Sequence, residues 1–333
     1  MKKEQKKRKK KVPGKTTSPP AAPAAKSSSR PNGVLPWSRI VGQTQLKEAL
    51  AISYVEPRIS GVLVSGERGT GKSTIVRSFA LMMTDDLPVT LPINATEDRV
   101  VGGWDVGELL KSNPAWKQGL LEDANDSMLY VDEVNLLDDH IVNIILDVTA
   151  SGLLRVERDS KTYELPVRFT LVGTMNPEEG TLRPQLLDRF GLMVDVRGLA
   201  DTEQRRGVLG AVMKAATQPI DAEAIKSDEE EKQRLKKAKS DAATLDVEPV
   251  LASCVALAQR FGADGHRGDL TLALAARAYA ALQGAQSVTR EHVQKVAALA
   301  LQHRRKVPGQ RELLRWAPED EAAVKETLFG DSA

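Results

Sequence analysis

The sequence predicts an α/β fold, a phosphate-loop nucleotide-binding core on a parallel sheet followed by an all-α segment. Three observations predict it. Between about residues 35 and 200, short apolar runs alternate with helical patterns, as parallel sheets require. One of those runs leads straight into Gly66-Glu67-Arg68-Gly69-Thr70-Gly71-Lys72-Ser73, which fits GxxxxGK[ST]. From Asp201 onward the strand signals stop and only helical patterns remain.

Taken in order, residues 1–34 form a basic tail. Residues 1–30 hold eleven Lys and Arg but one acid, Glu4, for a charge of +10. The remaining chain is −8, so the net +2 averages a basic tail and a mildly acidic body. The tail has no periodic apolar face and is rich in Lys, then Pro, Ala and Ser, so disorder is expected. It reads as a solubilising segment, and non-specific attraction to nucleic acid through it is the only nucleic-acid contact expected. The core, residues 35–200, opens with an amphipathic helix over Gln43–Val55. Strands are expected at Gly61–Ser65, Val89–Ile93, Ser127–Asp132, Phe169–Thr174 and Leu192–Val196, with helices from Lys72 and over Asp138–Ala150. Leu153–Phe169 alternates and turns at Asp159–Lys161, a β-hairpin pattern. The segment 201–333 is expected to be all-α, with helices over Asp201–Ala215, Val247–Arg260, Asp269–Leu282 and Thr289–Arg304. Within it, Asp221–Asp241 is almost entirely charged or small. It reads as a solvent-exposed helix with i,i+4 pairs or as a mobile insert.

Composition excludes several functions. The single cysteine, Cys254, cannot form an intramolecular disulfide or a cysteine metal cluster. Four histidines without HExxH spacing argue against a zinc enzyme. Aromatic residues are only 4%, too few for base-stacking platforms. No apolar run reaches 18 residues, and the basic N-terminus lacks an apolar h-region, so neither a membrane span nor a secretory signal is expected. A cytoplasmic protein is the expectation.

The motifs point to nucleotide hydrolysis. In the loop Gly66–Ser73 and on to Thr74, glycines let successive N–H groups turn inward around phosphate oxygens, reinforced by the helix N-terminus. Lys72 is placed to reach the β- and γ-phosphates and Ser73 to ligate Mg²⁺. Met128-Leu129-Tyr130-Val131-Asp132-Glu133 is an apolar strand ending in two acids, which a parallel sheet sets beside the loop. Asp132 is the second candidate for Mg²⁺, and Glu133 the candidate to orient or deprotonate the attacking water. ATP and Mg²⁺ are therefore the expected substrate and cofactor.

The order of phosphate loop, Asp-Glu strand, Asn at the next strand end and Arg in LLDRFG resembles an AAA+ ATPase. The stretches LPWSRIVGQ, VEPRISGVLVSGERGTGKST, LPINATEDRVVGGWDV, GLLEDANDSMLYVDEVNLLDDH and VGTMNPEEGTLRPQLLDRFG resemble the AAA+ module shared by magnesium chelatase I and D subunits. The resemblance covers residues 35–200 almost continuously and fits the lid more loosely. It implies a sensor-1 role for Asn176, an arginine finger at Arg189 acting on a neighbouring subunit's nucleotide, and a sensor-2 role for Arg267. It also implies a helix-2 insert at Asn113–Leu121 and a pre-sensor hairpin at Leu153–Phe169; Arg155, Arg158 and Lys161 on that hairpin read as a solvated tip, with contact to a partner as the alternative. The segment Ala80–Leu91 is shorter than in I subunits, VGTMNPEEG is nearer the D wording, and no DxSxS metal motif follows.

The chain thus resembles a stand-alone I-like ATPase with D-like wording. What the resemblance implies is a motor subunit assembled as a ring, most simply a hexamer. Its partners would be a von Willebrand A domain protein resembling the chelatase D subunit and a large chelatase subunit that inserts the metal into a tetrapyrrole. The alternative is a MoxR-type chaperone ATPase acting on a von Willebrand A partner without tetrapyrrole chemistry. A DNA-remodelling motor has only the tail and the hairpin in its support.

Overall fold

The computed structural model describes residues 33–104, 106–111, 116–158, 161–305 and 315–330. The expected disordered tail therefore lies outside the described residues except for Gly33 and Val34. So do the first residues of the expected insert at 113–121, and the turn residues 159 and 160.

In chain order the elements are α1 (Thr44–Val55), β1 (Val62–Gly66), α2 (Lys72–Thr84), β2 (Val89–Leu91), α3 (Glu97–Val101), β3 (Gly103–Trp104), α4 (Val106–Leu110), β4 (Trp116–Lys117), α5 (Leu120–Asp123) and β5 (Met128–Val131). Then come α6 (Asp139–Ser151), β6 (Leu153–Arg158), β7 (Lys161–Pro166), β8 (Thr170–Met175), α7 (Pro184–Leu187) and β9 (Leu192–Val196). The rest is helical: α8 (Thr202–Thr217), α9 (Ala222–Ala242), α10 (Leu251–Arg260), α11 (Arg267–Leu282), α12 (Arg290–Leu301) and α13 (Pro318–Phe329).

Five strands form one parallel sheet in the order β2-β5-β8-β1-β9. β1 leaves through α2 to the far edge of the sheet, so β8 lies between β5 and β1 and the chain reverses direction of build there. The carboxyl ends of β1, β5 and β8 are consequently neighbours, the crevice at which open α/β sheets bind ligands. The strands are apolar on both sides because both faces are covered. In β1, Val62 and Val64 join the core under α1 and α2, while Leu63 joins the core under α6 and the β6–β7 hairpin. β5 divides likewise, Met128 and Tyr130 toward α2, Leu129 and Val131 toward the other side. β6 and β7 pair antiparallel from Leu153↔Pro166 to Arg158↔Lys161. β3 and β4 make a second small ladder whose Trp104 and Trp116 meet Tyr163 of the hairpin.

The helical segment does not hang free. Residues of α9 to α13 belong to the same buried core as α1, α2 and one face of the sheet. The charged stretch Asp221–Asp241 differs from the expectation of an exposed helix or mobile insert. It is one helix, α9, with a buried stripe of Ala224, Asp228, Lys232, Leu235, Ala238 and Ala242. Steps of three and four residues keep that stripe on one face, packed on α1 and α11. Its two buried charges have partners elsewhere in the chain. Asp228 accepts from the Trp37 and Ser38 N–H groups at 3.2 and 2.8 Å, and Lys232 Nζ donates to Asp85 at 2.7 Å. α13 is a helix without a sequence-based expectation; only Val324 and Leu328 of it are buried, too weak an apolar stripe to read.

Candidate functional site

The phosphate loop runs from the end of β1 into α2, and its glycines explain the path. At Gly66 (φ 157°) a Cβ would lie 2.2 Å from the Val196 carbonyl oxygen, so only glycine lets the loop leave the sheet this close to β9. Gly71 caps α2 at φ 84°, a left-handed conformation that turns the chain into the helix. Lys72 at the first position of α2 folds back over the loop, its Nζ donating to the Gly66 and Glu67 carbonyls at 2.5 and 2.8 Å. Burial draws the Lys72 ammonium below the usual lysine range, and Asp132 and Glu133 pull the other way.

Three strand ends meet this loop. β5 delivers Asp132 and Glu133, and β8 delivers Thr174 and Asn176. Thr174 Oγ1 donates to Asp132 Oδ1 at 2.6 Å and accepts from the Glu133 N–H at 3.2 Å. Tyr130 Oη donates to the same Asp132 oxygen at 2.8 Å and lies 2.8 Å from Ser73 Oγ. Burial pushes the Tyr130 phenol up to about 12, so it keeps its proton. Glu133 takes a left-handed backbone (φ 53°) and pairs with Arg68 at 3.2 Å; Arg68 also pairs with Glu179. Asn176 is 4% exposed, and its side-chain oxygen accepts from the Glu178 N–H at 3.3 Å.

These groups line one cleft of about 410 Å³: Arg68 to Thr74, Asp132, Glu133, Thr174, Met175 and Asn176. Gly69, Thr70, Gly71 and Thr74 also border a second cavity of about 820 Å³, walled by Leu35, Ile40, Val41 and Ile75 on one side and by Val208, Leu209 and Val212 of α8 on the other. Glu67 borders that second cavity, and Gly66 underlies the loop as the Lys72 acceptor. The donor set beside the loop, a hydroxyl from Ser73 and a carboxylate from Asp132, is all hard oxygen and suits Mg²⁺. A phosphate group placed there would meet the N-terminus of α2 and the Lys72 cation.

Two predicted arginines lie elsewhere. Arg189 does not border the cleft; it is held on α6 by Asn143 at 2.5 Å and by Asp147. Arg267 at the start of α11 does not border it either; it pairs with Asp188 at 3.0 Å, beside Arg189. The resemblance placed Arg267 as a lid residue facing nucleotide, but within this chain it faces the segment that carries Arg189. Sequence reasoning missed Tyr130 and Thr174. Their signal was available: each stands two residues before a predicted site residue in its strand, and period two puts both on that residue's side. It also missed Arg304, buried and drawn down to about 10 by that burial, which donates to the Asp188, Phe190 and Gly191 carbonyls from just past α12.

Two families match. Residues 61–190 match the AAA domain (dynein-related subfamily), and residues 251–327 match the AAA lid domain. The magnesium-chelatase 38 kDa subunit of Cereibacter sphaeroides is 43% identical over 324 residues, covering 86% of this chain and 94% of that one. The Mycobacterium tuberculosis protein Rv2850c is 43% identical over 281 residues, 81% of this chain but 45% of that one, so the same module also sits inside a longer chain. A Cytophaga hutchinsonii protein of known structure shares the fold at 19% identity, with a TM-score of 0.58 over 88% of this chain and 91% of that one.

Proposed function

We propose, from the premise that the chain belongs to the magnesium-chelatase 38 kDa subunit family of AAA ATPases, that it is the cytoplasmic motor of a chelatase-like complex. It hydrolyses ATP with Mg²⁺ and uses the resulting movement to drive a partner that inserts a metal into a tetrapyrrole. The observation that carries the reading is the meeting of Lys72, Ser73, Asp132, Glu133 and Asn176 in a single cleft.

The loop N–H groups and Lys72 hold the β- and γ-phosphates of ATP, and the apolar walls next to them, Ile75 and the α8 face, receive the base. Ser73 and Asp132 would hold Mg²⁺, which would supply positive charge against the negative charge that develops on the phosphate oxygens. Glu133 orients the attacking water and takes its proton, while Asn176 fixes that water from the β8 side. Arg189, remote from its own cleft, serves as the finger for the next subunit of a ring, most simply a hexamer, with Arg267 on the same edge. A guanidinium there is worth roughly 10³–10⁵ in rate. Each subunit then completes its neighbour's site, which makes hydrolysis a property of the assembly. The further partners are a von Willebrand A protein of the D-subunit kind and a large chelatase subunit.

The test is capture of partners from the native host with the Glu133→Gln chain, which is expected to hold ATP and stay assembled. Recovery of a large chelatase subunit with a von Willebrand A protein supports the reading. A von Willebrand A protein alone supports the chaperone alternative, and failure of the wild-type chain to release phosphate from ATP with Mg²⁺ contradicts both.

A further inference from the structure

Tyr130 is a fully buried phenol inside the sheet, and its hydroxyl lies near Asp132, Ser73 and, at 3.5 Å, Thr174 Oγ1. It stands two residues before Asp132 on β5, so both side chains project from the same side of the strand. Its oxygen is 2.8 Å from Asp132 Oδ1 and 2.8 Å from Ser73 Oγ, linking a residue of the sheet to the first turn of α2. The proton bookkeeping has one solution. A carboxylate only accepts, so the single phenol proton goes to Asp132, and the Ser73 hydroxyl must then donate to Tyr130. Thr174 gives a second hydrogen bond to the same Asp132 oxygen at 2.6 Å. Among the described residues, no hydrogen bond reaches Asp132 Oδ2. The Ser73 proton is thus turned away from the cleft, its lone pairs are left for a cation, and one carboxylate oxygen is pinned while the other stays open.

We infer that Tyr130 is a positioning residue that sets how tightly the site takes its divalent cation, by orienting Ser73 Oγ and Asp132 together. The inference rests on the nucleotide reading above and adds to it a residue that touches neither phosphate nor metal. Partners that orient metal ligands in this way change metal affinity by roughly 10- to 100-fold when removed.

The experiment uses the full chain and a fluorescent ADP, titrated in Mg²⁺ and again in EDTA, for wild type and Tyr130→Phe. Phenylalanine keeps the ring and deletes one oxygen, and a thermal melt of each variant checks that the fold is retained. The ratio of the two ADP affinities reports the metal's contribution. The expected result is an unchanged affinity in EDTA, within about twofold, and a metal-dependent ratio reduced about tenfold. An equal ratio in both proteins overturns the inference, as does an equal loss in Mg²⁺ and EDTA, which marks a purely structural role. A wild-type chain that binds no ADP, or binds it without regard to Mg²⁺, overturns the nucleotide reading instead and takes this inference with it. Replacing Mg²⁺ by Mn²⁺ gives a second readout, since Mn²⁺ held at the site is counted directly from the loss of its free electron-spin signal. Tyr130→Phe is expected to release it at lower competing EDTA than wild type, and equal retention contradicts the proposal.

Discussion

Glu133 holds a left-handed backbone that a non-glycine residue adopts at a cost on the order of 1–3 kcal/mol, and its N–H is tied to Thr174. The strain is local to the residue that would activate water, and Thr174 stabilises it from the neighbouring strand. Lys72 and Glu133 should therefore separate binding from chemistry. Lys72→Ala removes the cation facing the phosphates and should weaken ATP binding at least tenfold by titration. Glu133→Gln keeps shape and polarity, and should bind ATP within about threefold of wild type while phosphate release falls by about 10² or more. His303 gives a prediction of another kind. Burial, and after it the Arg304 charge, hold its imidazole well below the usual range, while its Nε2 donates to the Phe190 carbonyl. The unfolded chain takes up a proton near the ordinary histidine value and the folded chain does not. Stability present above that value is therefore lost as pH falls, by up to about 1.4 kcal/mol per pH unit. Urea midpoints at pH 7.5 and 5.5 should show a smaller fall for His303→Gln than for wild type. At this scale the motif residues were legible because loop glycines, a lysine and strand-end acids recur at fixed spacing. Tyr130 and Thr174 were passed over, because a tyrosine and a threonine in an apolar strand read as packing; the two-residue period offered Tyr130 to Asp132, and the pairing of β5 with β8 brings Thr174 beside it.

α9 shows what composition hides in an element. Its six buried positions are two charges and four apolar residues among 21, so averaging over the segment reports solvent exposure. The buried charges were unreadable as such because their partners, the N–H groups of Trp37 and Ser38 and the carboxylate of Asp85, are about 150–190 residues away. Strands and long helices were legible because their apolar periods are local; Leu192–Val196 has the predicted bounds, and α6 begins at its Asp138 cap. Asp228→Ala should leave two backbone N–H groups at the start of the core without their carboxylate, and lower stability by about 2 kcal/mol, read as a fall in the urea midpoint. Deleting residues 1–30, which lack an apolar face, should leave both the midpoint and ATP turnover unchanged. A large drop in either would show that the tail packs on the body.

Over the whole molecule, the helical segment and the sheet share one core, and its far end reaches the edge of the molecule that carries Arg189. Arg304, just past α12, holds the carbonyls of residues 188, 190 and 191, and Arg267 from α11 holds the Asp188 carboxylate. A helical segment that moves with nucleotide would carry Arg189 with it, which links one subunit's state to its neighbour's chemistry. That long-range arrangement was not legible in the sequence: the resemblance set Arg267 toward nucleotide and gave Arg304 no role, and nothing in the spacing of Asp188, Arg267 and Arg304 places them together. The most direct measurement mixes two inactive proteins. Arg189→Ala should bind ATP nearly normally and hydrolyse it about 10³-fold more slowly, since a finger acts on transition-state charge. Lys72→Ala should be inactive for want of phosphate contacts. In a mixed assembly, an interface that joins the intact Arg189 of one to the intact loop of the other regains a complete site. Phosphate release by the mixture should exceed the sum of the separate proteins several-fold and rise with protein concentration; a mixture no more active than its components, with co-assembly confirmed, would contradict the shared site.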